Sequence, residues 1–105
     1  MSFVRACATG DVEPGTALAV VVDDVAVAVV HDGDDWYAVY DECSHAAIPL
    51  SEGEVEGGQI ECWLHGSMFD LRTGKPTNLP ATEPVAIYPV RVDGDDVLVD
   101  VHSPY

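Results

Sequence analysis

At 105 residues the chain has room for one domain and one modest core, and its 48% hydrophobic content is that of a globular protein. Nineteen acidic residues against four basic ones give a formal net charge of -15, too few cations to neutralise nucleic-acid phosphates or to hold an anionic membrane surface. No apolar run reaches membrane-spanning length, Met1–Arg5 lacks a signal peptide's apolar stretch and cleavage site, and three cysteines do not make an even disulfide framework. These features lead us to expect a cytoplasmic protein.

Short strands dominate the reading in chain order. Pro14 and Gly15 break any helix between Val12 and Leu18. Ala17–Val22 and Val25–Val30 are β-branched-rich runs separated only by Asp23-Asp24, a hairpin signal. Trp36–Tyr40 follows across the turn residues Asp32-Gly33-Asp34-Asp35, and its aromatic residues Trp36, Tyr37 and Tyr40 suit packing between sheets. Gln59–Cys62 reads as another strand. Val85–Val92 and Val97–Val101 pair across Asp93-Gly94-Asp95-Asp96, with Pro89 forcing an edge or a bulge. Val97, Val99 and Val101 share one face, opposite Leu98 and Asp100. Cys7 reads as a buried strand residue, and His31 and His102 as surface residues at strand ends. Regularly spaced strands with turn signals point to an all-β sandwich or small barrel.

Between Tyr40 and Val85 the pattern changes. Strand signals thin out and turn residues gather, among them Gly53, Gly57, Gly58, Gly66, Gly74, Pro76, Pro80 and Pro84. A long irregular stretch inside a small domain is usually functional. This one holds Cys43-Ser44-His45 and, after sixteen intervening residues, Cys62-Trp63-Leu64-His65. Each short pair can turn two side chains toward one centre, and the strand between returns the chain to the same end. Two thiolates and two imidazoles suit either a tetrahedral zinc ion or an iron–sulfur cluster. Zinc would make the chain a structural binding module. No serine–histidine–aspartate set, phosphate loop or dinucleotide fingerprint accompanies the four residues, so we expect no catalytic site.

The paired motif, read through Gly66, resembles the two-part signature of Rieske iron–sulfur proteins. The resemblance extends over Pro49–Gly53 and Phe69–Pro76 and covers most of the chain. It implies an all-β Rieske-type fold: a small antiparallel base (1–40 and 85–105) carrying a cluster-binding insertion (about 41–84) with two ligand loops. It implies one [2Fe–2S] cluster, with Cys43 and Cys62 on one iron and His45 and His65 on the other. Leu79-Pro80-Ala81 resembles the family's third, proline-bearing loop, which covers the cluster. Ser67 stands where respiratory members place a serine that bonds a bridging sulfide. Phe69 stands where they place a tyrosine, which implies a potential in the lower half of the Rieske range.

Within the family the chain is similar to the small ferredoxins of bacterial aromatic-ring dioxygenase systems. Respiratory members add a cysteine to each ligand loop, whereas Ala46-Ala47-Ile48 and Leu64 fill those positions here. An oxygenase subunit would need a further catalytic domain. The resemblance implies a monomeric one-electron carrier between a flavoprotein ferredoxin reductase and a terminal oxygenase. Asp41, Glu42 and Glu52 are candidate docking residues. Two other jobs for the same cluster stay open at this point, a nitrite-reductase small subunit and an iron–sulfur assembly component. Trp63 could cover the cluster or pack its loop on the base. Arg72 and Lys75 could sit on a solvated turn or anchor the loop against Asp70.

Overall fold

The computed structural model describes residues 3–44, 47–63, 66–79 and 81–102. Ten strands in three antiparallel sheets make up the ordered elements: β1 (Val4–Ala8), β2 (Thr16–Val22), β3 (Val25–Asp32), β4 (Asp35–Tyr40), β5 (Val55–Glu56), β6 (Gln59–Cys62), β7 (Ser67–Asp70), β8 (Ile87–Tyr88), β9 (Val90–Asp93) and β10 (Asp96–Val99). The sheets run β1-β10-β9, β2-β3-β4-β8 and β5-β6-β7. Two 3-10 turns, Thr9–Asp11 and Leu50–Glu52, are the helical elements among the described residues.

Strand β3 explains the layering. Its residues Val27 to Val30 are all fully buried, which requires cover on both faces. Successive side chains point to opposite faces. Val27 and Val29 pack with Val97, Val99 and Cys7 from the β1-β10-β9 sheet. Ala28 and Val30 pack with Ile60, Phe69 and Leu50 from the insertion. The four-stranded sheet is therefore the middle layer. One side is covered by the β1-β10-β9 sheet, and the other by residues of the 41–84 segment.

The β2–β3 hairpin closes at Asp23-Asp24, both at positive φ (47° and 66°), as a two-residue hairpin of the primed kind requires. Val22 and Val25 pair directly across it. The expected strand Val85–Val92 is instead two strands. Pro89 is buried between them and cannot donate to a ladder. The chain leaves β4 there and joins β10, so β8 belongs to one sheet and β9 to another.

Several smaller expectations are corrected. His31 is not a surface residue: its ring stacks on Trp36 with centroids 3.9 Å apart, and its Nδ1 lies 3.0 Å from the Val12 carbonyl. Tyr40 ends β4 in solvent rather than between sheets. His102 is exposed, as expected, and its Nε2 meets the Asp23 carboxylate at 3.0 Å. Cys7 is buried in β1.

Candidate metal centre

The first loop leaves β4 through Asp41 and Glu42. Asp41 is held in place through both carboxylate oxygens: Ser51 donates its backbone N–H to one at 2.7 Å and its hydroxyl to the other at 2.8 Å. Glu42 and Glu52 are exposed. Cys43 donates its N–H to the Ile48 carbonyl at 2.9 Å. Ser44 donates its hydroxyl to the Glu83 carbonyl and ties this loop to the segment after Pro80.

The second loop joins β6 to β7. Cys62 pairs with Ser67 at the end of the ladder, and Gly66 donates its N–H to the Cys62 carbonyl at 2.9 Å. Each ligand loop is thus closed by the backbone of its own cysteine. Both cysteines are buried, Cys43 at 3% and Cys62 at 0% exposure, in one apolar cluster with Leu50, Ile60, Phe69, Leu71 and Ala81. The long sequence separation between the two thiols is spanned by the excursion through the 3-10 turn, β5 and β6.

The third segment is bound to the second loop. Thr77 donates its N–H to the Met68 carbonyl at 2.8 Å. Asn78 grips the hairpin at two points, its Oδ1 accepting from the Met68 N–H at 2.6 Å and its Nδ2 donating to the Gly66 carbonyl at 3.1 Å. Ser67 is fully buried, and its Oγ accepts the Ala81 N–H at 3.0 Å. A hydroxyl that accepts there still has its proton to donate.

Two glycines permit the close approach of these segments. A Cβ on Gly53 would lie 1.6 Å from the Glu61 carbonyl oxygen. One on Gly74, at φ +78°, would lie 2.1 Å from that of Val85. No side chain fits at either distance.

Cys43, Cys62 and Ser67 thus fall at one end of the insertion. His45, His65 and Pro80 lie outside the described residues, and with the two histidines half of the ligand set expected from the sequence. Trp63 leaves 48% of its surface in solvent. Arg72 and Lys75 belong to the turn at the opposite end of β7, where Asp70 donates its N–H to the Lys75 carbonyl. The Asp70 carboxylate accepts the Arg72 backbone N–H at 2.8 Å. The Arg72 guanidinium turns to the Tyr37 hydroxyl, a bond that raises its already high pKa.

The donor set suits an iron–sulfur cluster. Two buried thiols and a buried hydroxyl proton at an apolar loop end match thiolate ligation with hydrogen bonding to sulfur. Motif spacing singled out Cys43 and Cys62, and the family resemblance Ser67. They missed the Ser44–Glu83, Asp41–Ser51 and Asn78 bonds, which join residues 10 to 39 positions apart and leave no local pattern.

Comparison with known proteins agrees. The family model described as the Rieske [2Fe-2S] domain matches residues 2–89. The biphenyl dioxygenase ferredoxin subunit of Pseudomonas sp. (strain KKS102) is 43% identical over 101 residues, covering 95% of this chain and 93% of its own. The ferredoxin of carbazole 1,9a-dioxygenase from Nocardioides aromaticivorans IC177 superposes with a TM-score of 0.88 at 44% identity, covering 94% of this chain and 97% of its own. A chain from the complex of reduced oxygenase and oxidized ferredoxin in carbazole 1,9a-dioxygenase superposes with a TM-score of 0.84 at 38% identity, covering 92% and 91%. A family match over most of the chain, and a fold shared from end to end with dioxygenase ferredoxins, lead to one conclusion: the chain belongs to the Rieske [2Fe–2S] family.

Proposed function

We propose that Cys43, His45, Cys62 and His65 hold the [2Fe–2S] cluster, and that the protein carries single electrons from a flavoprotein ferredoxin reductase, fed by NAD(P)H, to the terminal oxygenase of an aromatic-ring dioxygenase system. The observation that carries this reading is the burial of Cys43 and Cys62 in one apolar cluster at the end of two self-closed loops. The relatives quoted above are all ferredoxins of such systems, which favours this job over nitrite reduction or cluster assembly.

When bound, the cluster supplies reversible one-electron chemistry. The residues around it set where and how easily that occurs. Cys43 and Cys62 enter from the apolar side, where Ile60, Phe69 and Leu50 keep water out. His45 and His65 follow Cys43 and Cys62 in the sequence. Ser67 directs a hydroxyl proton into the site, which favours the reduced, more negative state, while Phe69 brings no second hydroxyl. Pro80 stands in the sequence between Asn78 and Ala81, both of which are bonded to the β6–β7 hairpin. In this reading the protein has no catalytic site of its own and acts as a monomer, since a carrier must leave one partner for the next.

Reconstitution tests the proposal. NADH oxidation coupled to aromatic hydroxylation, with a reductase and a terminal oxygenase present, should depend on added protein and saturate with it. C43S or C62S should remove visible colour and coupling together. Coupling that proceeds equally without the protein, or a C62S variant with the wild-type spectrum, would overturn it.

A further inference from the structure

Strands β4 and β8 pair at two positions, Val39 with Ile87 and Ala38 with Tyr88. Continued toward the start of β4, that register would set Trp36 opposite Val90. Pro89 prevents it by turning the chain away to β10. Hydrogen bonding alternates along an antiparallel strand. The Tyr40 N–H donates to the Ala86 carbonyl at 2.9 Å, which fixes the alternation in β4: the N–H and C=O of Trp36 face the side that β8 has left. The Asp100 N–H donates to the Pro89 carbonyl at 3.2 Å, which fixes it in β9: Val90 and Val92 turn their backbone groups away from β10. That side of β9 is the edge of its sheet. Among the described residues, no hydrogen bond reaches Trp36, Val90 or Val92 from those sides.

Trp36 and Val90 instead line a common cleft of about 290 Å³, whose other walls include Leu71, Ile87 and Tyr88. Tyr37 and Arg72 line it as well, and they also line a second cleft of about 500 Å³, so the two adjoin. The second cleft is acidic: Asp32, Asp34, Asp35 and Asp70 border it, against Arg72 alone. Asp34 and Asp35 are exposed, and Val92 keeps 41% of its surface in solvent. An open strand edge thus runs into an apolar cleft, and the apolar cleft into an acidic one.

We propose that this place docks an extended, lysine- or arginine-bearing segment of a partner protein, which adds as a strand to the β9 edge and seats a large apolar side chain between Trp36 and Val90. An unpaired strand edge is a template for another chain. Its main-chain groups supply affinity, and the cleft beside it supplies selection among side chains. The four carboxylates of the second cleft favour cations next to that apolar residue. A second copy of this chain is the wrong occupant. Two β9 strands paired about a twofold axis at Arg91 would set like charges opposite each other, and each chain brings a formal -15. Leu71 and Arg72 follow β7 at the end away from Ser67, so a segment held there leaves the cysteine end uncovered. The inference draws on no property of the cluster and stands apart from the carrier role.

The test uses the full chain, cluster-loaded and oxidised, and an acetylated, amidated peptide Lys-Lys-Val-Phe-Val-Lys-Lys as probe. Binding is measured by titration calorimetry from low to high NaCl and located by amide chemical shifts. The peptide should bind and move the amides of Trp36, Val90 and Val92, and its counterpart with glutamate for lysine should not bind. V92P removes an N–H that faces away from β10 and leaves the β9–β10 ladder intact, so it should weaken binding about tenfold while V92T binds like wild type. A peptide N-methylated at Val, Phe and Val should lose as much on wild-type protein, which repeats the test should V92P fold poorly. D34N/D35N should weaken binding about tenfold at low salt and bind like wild type at high salt. No binding, shifts confined to other amides, or full affinity of both V92P and the N-methylated peptide would overturn the strand-addition site. Self-association of the protein alone that moves the same three amides would assign the edge to a second copy and overturn it too.

Discussion

Buried groups with single partners set the sharpest expectations at the residue scale. Ser67 is enclosed and its oxygen is the acceptor for the Ala81 N–H. Removing it in S67A leaves that amide without its partner, a loss of about 1–3 kcal/mol in denaturant unfolding. It also removes the hydroxyl proton offered to the cluster, so the midpoint potential should fall. Asn78 holds the third loop by two bonds but is itself exposed. N78A should therefore cost little global stability and shorten the lifetime of the bound cluster in air, read as bleaching of the visible spectrum. At Gly53 the added methyl of G53A collides with backbone, which cannot rotate away. The variant should lose about 2–3 kcal/mol or more.

Elements answer to turn chemistry and to layering. Asp23 and Asp24 both occupy the left-handed region, where a Cβ is unfavourable and glycine is not. D24G should stabilise the β2–β3 hairpin by about 1 kcal/mol and leave Asp23 to meet His102. Two titrating groups of the base lie in the core beside β10, Cys7 and Tyr88. Burial pushes the thiol up from its ordinary 9.0 and the phenol up from its ordinary 10.0. A raised folded-state pKa contributes stability that is complete below the unfolded value and is lost as the pH rises through the folded one. The denaturant midpoint should therefore hold through neutral pH and fall above about pH 9, and C7V should remove the earlier part of that fall.

The same scale shows what the residues disclose. Strands β2, β3, β4, β6 and β10 were legible because β-branched runs and acidic-glycine turns are local signals. Gln59–Cys62 was read to the residue. Strand β1 was read only at Cys7, without bounds, because Val4-Arg5-Ala6-Cys7-Ala8 lacks apolar alternation, and it is a strand by pairing with β10 at the other end of the sequence. Strands β5 and β7 are short and partly polar, with their ladders fixed by the insertion's own long-range bonds. Pro89 was recognised as a disruption, but that it moves the chain between sheets is a property of the layers. In the candidate site, Cys43 and Cys62 stand out through motif spacing, and Ser67 through the family resemblance. Gly53, Gly74 and Asn78 act through contacts that only the folded chain brings together.

At the scale of the whole molecule, charge is the dominant feature. Arg5 is paired with Asp96 at 2.7 Å, Arg91 lies over the Phe3 ring, and Arg72 is turned to Tyr37, so little positive charge offsets the formal -15. Self-repulsion at that charge is screened by salt, and the thermal midpoint should rise from low to moderate NaCl. Electron delivery to an oppositely charged partner should slow over the same range. The central claim is that mixed cysteine and histidine ligation gives this carrier its potential. An EPR-monitored redox titration of the purified, cluster-loaded protein tests that most directly. The account predicts a one-electron transition in the lower half of the interval from about -150 to +300 mV, and its loss in H45C or H65C. A colourless protein holding zinc, or a midpoint near the roughly -400 mV of all-cysteine plant-type clusters, would contradict it.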